Sequence, residues 1–598
     1  MTDRQLVGAA ILIGLAARWS PTVSIWIAVA IVATGGVMRR PWLIVIGCAL
    51  IAGQRASADL HQLASTQPGP VHGVAVVRSD PQPGPFSVSF DASLRGARYS
   101  VEVTGAAMGS VRGLRVGEGI EVAGVIRRFD QRQSWQIARH LAGRVKVSSV
   151  GLVRSAPPPW RVANRLRSVI LDGANGLDGD TAALFRGLVL GDDSDHGDAL
   201  VHRFRASGLS HLLVVSGENV AFVLTAFAPL LRRLRLRTRW VVTAAILLMF
   251  GTIVRWEPSV LRAIAMAGLA VTASTMGRRA SGLRIVAISV SALIVVDPLL
   301  VWSLGFLLSV SATLGLVLWS RPIAERLPGP RWLAEPLGVV LAAQCGVAPL
   351  LLALRGSIPA SGLVSNLLAV PVAGWTMMWG ATVGIVAGVM PTAVAAVLHL
   401  PTVWLISWID AVARLGSIPG LPQLGGVELV WCAGGVVLAT LPRRRIGRRV
   451  RQVLRAASVA MVGAGLALGT CGPPPGHTQL VSGADLVSGT SGESIVILSG
   501  SPSSSRMLEA LVSIRAGPLD VVVVAGGRRS ADAARTLVDA WQVERVIGDP
   551  TIIAVDPDVP FNELPAPPSS IRVGSVELQI SDIGGHRRVS APAVGWRP

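Results

Sequence analysis

Apolar runs open the chain at Leu6–Ala17, Val23–Val37 and Trp42–Gly53, and a polar stretch rich in Gly, Pro and Arg follows from about Gln54 to Pro159. Apolar runs return at about Leu209–Leu231, Trp240–Val254, Val260–Met276, Ile285–Val296, Leu299–Trp319, Leu337–Leu354, Leu363–Val389, Ala393–Val412, Val427–Leu441 and Val453–Leu468. A helix needs roughly 20 residues to cross a bilayer. Several of these runs are shorter, so their ends must be extended, tilted or re-entrant. The pattern predicts about ten to thirteen membrane helices. Inside the polar stretch the pattern changes to short runs rich in Val, Ile and aromatics, at Val71–Arg78, Phe86–Phe90, Arg98–Thr104, Gly119–Phe129 and Ser134–His140, separated by Gly or Pro turns. Such spacing predicts the strands of a small barrel. Near the end of the chain, Ile495–Leu498 and Val521–Val524 read as buried strands, each followed by a Gly turn and a helix-compatible stretch, Arg506–Ile514 and Ala531–Ala540. That order is α/β.

The fold class predicted is therefore a polytopic α-helical membrane protein with two non-membrane domains. Residues 1–53 are N-terminal membrane helices, 54–159 a small external β-barrel, 160–470 the main membrane domain and 471–598 an external α/β domain.

Composition agrees. Of 598 residues, 51% are hydrophobic and 15% charged, with a mean hydropathy of +0.55. A soluble domain carries about a quarter charged residues. The apolar content excludes disorder, and four cysteines in this length exclude a disulfide scaffold. Cys48, Cys345 and Cys432 lie in apolar runs as small hydrophobes, and Cys471 follows Leu468-Gly469-Thr470, a poor match to a lipidation box.

The net charge of +20 is almost wholly arginine, since Lys146 is the one lysine. The arginines gather at Arg39-Arg40, at Arg232, Arg233, Arg235, Arg237 and Arg239, at Arg278, Arg279 and Arg284, at Arg321, Arg326 and Arg331, and from Arg443 to Arg455. Alternate loops carry isolated charges such as Arg18, Arg255, Arg355 and Arg414. If arginine-rich loops stay cytoplasmic, an N-in chain puts both 54–159 and 472–598 outside the cytoplasm.

Between Val71 and Val150 eleven Arg or Lys stand against six Asp or Glu, a net +5, with Phe86, Phe90, Tyr99, Phe129 and Trp135 interleaved. Two readings stay open here. A basic groove with stacking rings holds single-stranded nucleic acid; alternatively the rings fill the barrel core and the arginines solvate it. The tail from His477 to Pro598 has ten Arg against thirteen acids, a net −3, and no electrostatic grip on phosphate.

Polar groups at membrane depth are functional candidates by default. The densest set is Gly208-Leu209-Ser210-His211-Leu212-Leu213-Val214-Val215-Ser216-Gly217-Glu218-Asn219, where small residues allow close backbone approach and Ser216, Glu218 and Asn219 offer hydrogen bonds. No GxSxG surrounds Ser216, which argues against a hydrolytic nucleophile. Arg262 lies one turn after Arg255-Trp256-Glu257-Pro258-Ser259; it either pairs with Glu257 or snorkels, or it meets a phosphate.

The blocks from Ala183-Leu184-Phe185-Arg186-Gly187-Leu188-Val189-Leu190-Gly191-Asp192 through Ser207 to Gly217 closely resemble the competence-protein ComEC family of DNA-uptake channels. So do Pro258-Ser259-Val260-Leu261-Arg262-Ala263, Leu304-Gly305-Phe306-Leu307-Leu308-Ser309-Val310-Ser311-Ala312-Thr313 and Asn366-Leu367-Leu368-Ala369-Val370-Pro371, in family order. The resemblance implies a multi-pass channel of the cytoplasmic membrane that admits one DNA strand, with an OB-fold domain after the first helices. It implies as path residues Ser216, Gly217, Glu218, Asn219, Arg255 and Arg262, and as barrel contacts Arg98, Tyr99, Arg127, Arg128, Phe129 and Trp135. Glu218-Asn219 stands where the family often has Leu-His, so no role of that histidine carries over.

The tail resembles the metallo-β-lactamase-like domain of longer family members. Val496-Ile497-Leu498-Ser499-Gly500 stands where a strand ending Asp-Thr-Gly is usual, and Ala525-Gly526-Gly527-Arg528-Arg529-Ser530-Ala531-Asp532 replaces the HxHxDH turn. His477 and His586 are the histidines of this region. A degenerate domain without metal, cofactor or nuclease activity is expected, since a binuclear site needs clustered imidazoles and carboxylates. No GxxxxGK[ST] loop supplies ATP chemistry. The expected partners are single-stranded DNA, the lipid bilayer, the DNA receptor, nuclease and cytoplasmic motor of an uptake machinery, and further copies of the chain. The competing functions are a transporter of another polyanion or solute on the same scaffold, and a membrane-anchored hydrolase using the tail.

Overall fold

The computed structural model describes residues 2–430 apart from 20–23, 85–86, 130–131, 216, 278–279, 328 and 420, with 460, 463 and 476–590 apart from 490–492, 501, 515, 550–558, 568, 574 and 584–585. Ser216, Phe86, Arg278, Arg279, Cys432, Cys471, the arginine cluster at 443–455 and the apolar run at 453–468 apart from 460 and 463 lie outside the described residues. The chain divides into two compact units. The first comprises residues 1–194, 214–347 and 373–406, and the second 195–213, 348–372 and 407–598.

The first unit begins with α1 (Asp3–Trp19), α2 (Ile25–Val37) and α3 (Pro41–Ala64). The barrel follows as β1 (Gly69–Val77), β2 (Gln82–Pro83), β3 (Ser87–Leu94), β4 (Ala97–Thr104), α4 (Met108–Val111), β5 (Gly119–Arg127), α5 (Ser134–Ala138) and β6 (Leu141–Arg154). Its strands run in the order β1-β5-β6-β4-β3, and β1 pairs with β3 to close the ring. The β4–β6 pair is parallel; the others are antiparallel. Alternation sends Val88, Phe90, Ala92 and Leu94 of β3, and Tyr99, Val101 and Val103 of β4, into one core. Leu299, far along the chain, completes that core and is fully buried.

One predicted strand is a helix. Residues 134–138 form α5 because the Gln133 side chain and Gln136 close a capping box around the first turn. The strand sits one step later, at β6, where Val145 and Val147 point inward between Arg144, Lys146 and Ser148. Gly124 lets β5 cross β6 closely, since a Cβ there would lie 2.2 Å from the Lys146 carbonyl oxygen.

The helices continue as α6 (Pro158–Gly173), α7 (Gly179–Leu190), α8 (Asp198–Ala206), α9 (Gly217–Arg232), α10 (Leu236–Ile253), α11 (Pro258–Thr275), α12 (Gly282–Val296), α13 (Leu304–Ala324), α14 (Arg331–Arg355), α15 (Gly362–Ala387), α16 (Thr392–Leu398) and α17 (Leu400–Gly416). Among the described residues six helices, α3, α10, α11, α13, α14 and α15, are long and apolar enough to cross a membrane, and α2 and α12 are shorter apolar helices. This is a multi-pass membrane protein. Where α13 meets α14, glycines replace side chains: a Cβ on Gly315 would lie 2.3 Å from the Ala342 carbonyl oxygen, and one on Gly346 2.3 Å from that of Ser311. Small residues at a crossing let membrane helices pack backbone to backbone.

In the second unit a two-strand pair, β7 (Ile358–Pro359) and β8 (Gln423–Leu424), accompanies the tail domain. The tail has β9 (Gly476–Val481), β10 (Ala484–Ser488), β11 (Ser494–Leu498), α18 (Ser504–Ser513), β12 (Leu519–Val524), α19 (Arg528–Ala540), β13 (Val543–Gly548) and β14 (Phe561–Glu563), then β15 (Ser569–Val573), β16 (Val576–Ile583) and β17 (His586–Ser590). The six-stranded sheet runs β14-β13-β12-β11-β10-β9, with β11 to β14 parallel. Leu486, Val496, Leu498 and Val522 face the helices α18 and α19, while Val487, Ile495, Ile497 and Val521 face Leu578 and Ile580 of the β15–β17 sheet. The domain is thus three layers: helices, sheet, small sheet. Its helical layer also carries α8, whose Arg205 pairs with Glu509 and whose His202 ring lies 5.4 Å from that of Trp541.

Candidate functional site

Pro258 starts α11 as its first residue, and one turn inward Arg262 is 6% exposed. Its Nε donates to the Ser309 hydroxyl of α13 at 2.9 Å and its Nη1 to the Met266 sulfur at 2.9 Å. Glu257 is not its partner; among the described residues no carboxylate lies within ion-pair distance of the guanidinium. Burying a charge without a counter-ion is costly, about 2.5–3.5 kcal/mol for arginine inside a membrane helix on insertion scales. Gly217 stands directly over it, and a Cβ there would lie 2.8 Å from Nη2 and 3.0 Å from the Ala263 Cβ. Ser259 ties the same turn to the stretch before α9 by donating to the Val215 carbonyl at 2.9 Å. Three separated sequence blocks, represented by Val215 and Gly217, by 259–263 and by Ser309, therefore meet around one buried cation. Of the other path candidates, Asn219 is buried and donates to the Leu188 carbonyl at 3.3 Å, while Glu218 is exposed beside it on the first turn of α9.

Arg255 is elsewhere engaged. It and Trp256 both have positive φ, 63° and 57°, in the turn between α10 and α11. The guanidinium grips Asp80, in the loop leaving β1, and donates to the Asn164 side-chain oxygen of α6 at 2.8 Å. Arg167 of α6, itself buried, reaches Asp80 at 3.3 Å and Asp192 at 3.1 Å. Burial alone would raise the Asp192 carboxyl; Arg167 and the hydrogen bonds from Ser194 outweigh it and hold the group below its ordinary value. Arg255, a path candidate, thus clamps the barrel to the helices.

On the barrel, Arg98, Arg127 and Arg128 are exposed and Phe129 is half-buried. Arg128 Nε donates to the Thr66 carbonyl. Tyr99 is a correction: it is 7% exposed and packs in the core, so its ring offers no stacking face. Trp135, on α5, is 46% exposed.

The competence-protein family model matches residues 188–445, a span that contains Gly217, Arg262 and Ser309. ComE operon protein 3 of Bacillus subtilis (strain 168) is 26% identical over 249 residues, 41% of this chain and 32% of that protein. The chain carries a competence-protein domain of the ComEC family. The aligned part spans about a third of that relative's length, and no solved structure matches the chain significantly.

Within the competence domain the remaining motifs also meet. Gly208 has φ 76°, and a Cβ there would lie 2.8 Å from the Gly362 Cα. Asn366 donates to the Gly362 carbonyl at 2.6 Å and to that of Gly208 at 3.4 Å. Asp410 of α17 accepts from Arg203 at 2.6 Å and Arg414 at 2.7 Å. In the tail, the turn after β12 offers Gly526, Gly527, Arg528, Arg529 and Ser530, and the buried Ser530 hydroxyl donates to the Gly500 carbonyl. This set does not fit the zinc ions of a binuclear hydrolase, which take imidazole, thiolate or carboxylate donors. Among the described residues no group of three His, Cys, Asp or Glu could hold one.

Proposed function

We propose that this chain is a channel that passes single-stranded DNA across the cytoplasmic membrane during transformation, with its barrel and tail on the extracytoplasmic side. The observation that carries the reading is Arg262: a buried guanidinium with no described carboxylate partner, under a glycine, where three motifs of the competence domain converge. A phosphodiester supplies the missing counter-charge as it passes, and the next phosphate replaces it. The strand order β1-β3-β4-β6-β5, with β4 and β6 parallel and α4 between β4 and β5, supports an OB-fold reading of the barrel. The three-layer tail is in keeping with a degenerate metallo-β-lactamase-like domain, and its ill-suited donor set supports a domain that does not hydrolyse. On this reading the strand-degrading nuclease, the receptor that delivers DNA and the motor that draws it inward are separate proteins.

The test is uptake of labelled DNA in a deletion strain complemented with wild type, Arg262→Lys or Arg262→Ala at matched membrane levels. Uptake should fall by at least tenfold for Arg262→Ala and be partly kept by Arg262→Lys. Normal uptake in the deletion strain would overturn the reading. Normal DNA uptake with altered export or import of another polyanion would favour a transporter on the same scaffold.

A further inference from the structure

We infer that Trp135 and Arg139 form the contact that receives each nucleotide as it leaves the barrel for the helices, with the base stacked on the indole and its phosphate on the guanidinium. This rests on the channel reading above and adds to it the place of transfer. The pair sits at the seam of the first unit. Helix α5 packs against residues 298–302, the turn that joins α12 to α13, and the next residue, His140, meets Asp297 at 3.1 Å. The indole is fixed in orientation, because its Nε1 donates to the Gln133 side chain that caps α5, and it is nevertheless 46% exposed. Arg139 lies with its Cζ 5.7 Å from the ring centroid, and its side chain is 56% exposed.

A fixed, half-open ring beside a free-reaching cation is what sequence-tolerant binding of a single strand requires. Among the described residues Arg139 makes one ion pair, with Asp91 at 3.6 Å. That separation is beyond hydrogen-bond reach, so a phosphate can take the guanidinium without breaking a bond. Arg139 also acts electrostatically on Glu257, the residue before α11, whose carboxyl burial raises and Arg139 partly lowers. The contact therefore stands next to the helix that carries Arg262.

The experiment uses the full chain in nanodiscs and a 20-nucleotide oligonucleotide substituted with 5-iododeoxyuridine, irradiated and mapped by mass spectrometry. The expected adduct is on Trp135. Trp135→Ala should weaken binding by at least about fivefold, and Trp135→Phe by less. Arg139→Gln should lower the slope of log affinity against log salt by about 0.7. Each variant is required to melt as wild type does. Adducts confined to Arg98, Arg127 or Phe129, with unchanged affinity for Trp135→Ala, would overturn the transfer contact while leaving the channel reading intact. Quenching of Trp135 by brominated lipid, with adducts elsewhere but none on Trp135, would make it an interfacial anchor and overturn the proposal. No adduct anywhere on the chain would sink both.

Discussion

Arg255 holds Asp80 with two hydrogen bonds, Nε to Oδ2 at 3.0 Å and Nη2 to Oδ1 at 2.7 Å, across 175 residues of chain. Two consecutive residues in the left-handed region, Arg255 and Trp256, aim that fork. Such backbone costs about 1–3 kcal/mol per residue and persists where its surroundings hold it. Here Asp80, Asn164 and Trp256 packed over Gly251 do so.

Breaking the clamp from either side should destabilise the protein and the two losses should not add. We expect Asp80→Asn and Arg255→Gln each to cost about 1–3 kcal/mol, with a coupling of at least about 1 kcal/mol in the double variant. Thermal unfolding of the four proteins checks this; strictly additive losses would mean the pair contributes nothing beyond its separate contacts.

Two glycines should fail in different ways. Gly208→Ala combines a positive φ with a clash against the Gly362 backbone and should lower the yield of folded protein sharply. Gly217→Ala meets a side chain that can move, so the protein should fold with a loss of about 1–3 kcal/mol while Arg262 is displaced. DNA uptake per folded molecule should then fall for Gly217→Ala, measured against membrane levels.

Acid should loosen the tail from α8. Burial, together with the Arg205 charge, lowers His202 to about 4, and neither ring nitrogen has a hydrogen-bond partner among the described residues. An unfolded histidine gains its proton near pH 6.5, so between about pH 6.5 and 4 the unfolded chain binds more protons than the folded one. The stability from the neutral ring is present above that window and is lost through it as pH falls, on the order of 3 kcal/mol. His202→Leu should flatten this part of a melting-temperature profile; an unchanged slope would place the effect elsewhere.

In the barrel, neighbours should separate cleanly. Tyr99→Ala empties a core position and should cost about 3–5 kcal/mol, with oligonucleotide affinity lost only through unfolding. Arg98→Ala should leave stability within about 0.5 kcal/mol and weaken binding in a salt-dependent manner. Denaturation and binding titrations on the same samples distinguish the two.

Much of the architecture was legible because period carries it. Val496 and Ile497 in an unbroken apolar run read as a buried strand, and Val88, Phe90 and Ala92 alternate as one face of a barrel. Val145 and Val147 alternate with Lys146 as one face of β6, while 134–138 is a helix whose capping box a strand pattern does not reveal. Whether a charged side chain is a site or a tether is a different matter. Arg255 and Arg262 lie seven residues apart with similar neighbours in sequence, yet one meets Asp80 and the other no described carboxylate. That difference depends on a carboxylate 175 residues away, which local pattern does not encode. Tyr99 likewise looked like a stacking ring until strand register put it inside.

Leu299 has a practical consequence for anyone who excises the barrel. It completes the barrel core from the turn between α12 and α13, so a fragment ending near Pro159 would be born with an open socket, sticky to detergent and to its own siblings. Affinities recorded on such a piece would describe an unstoppered vessel.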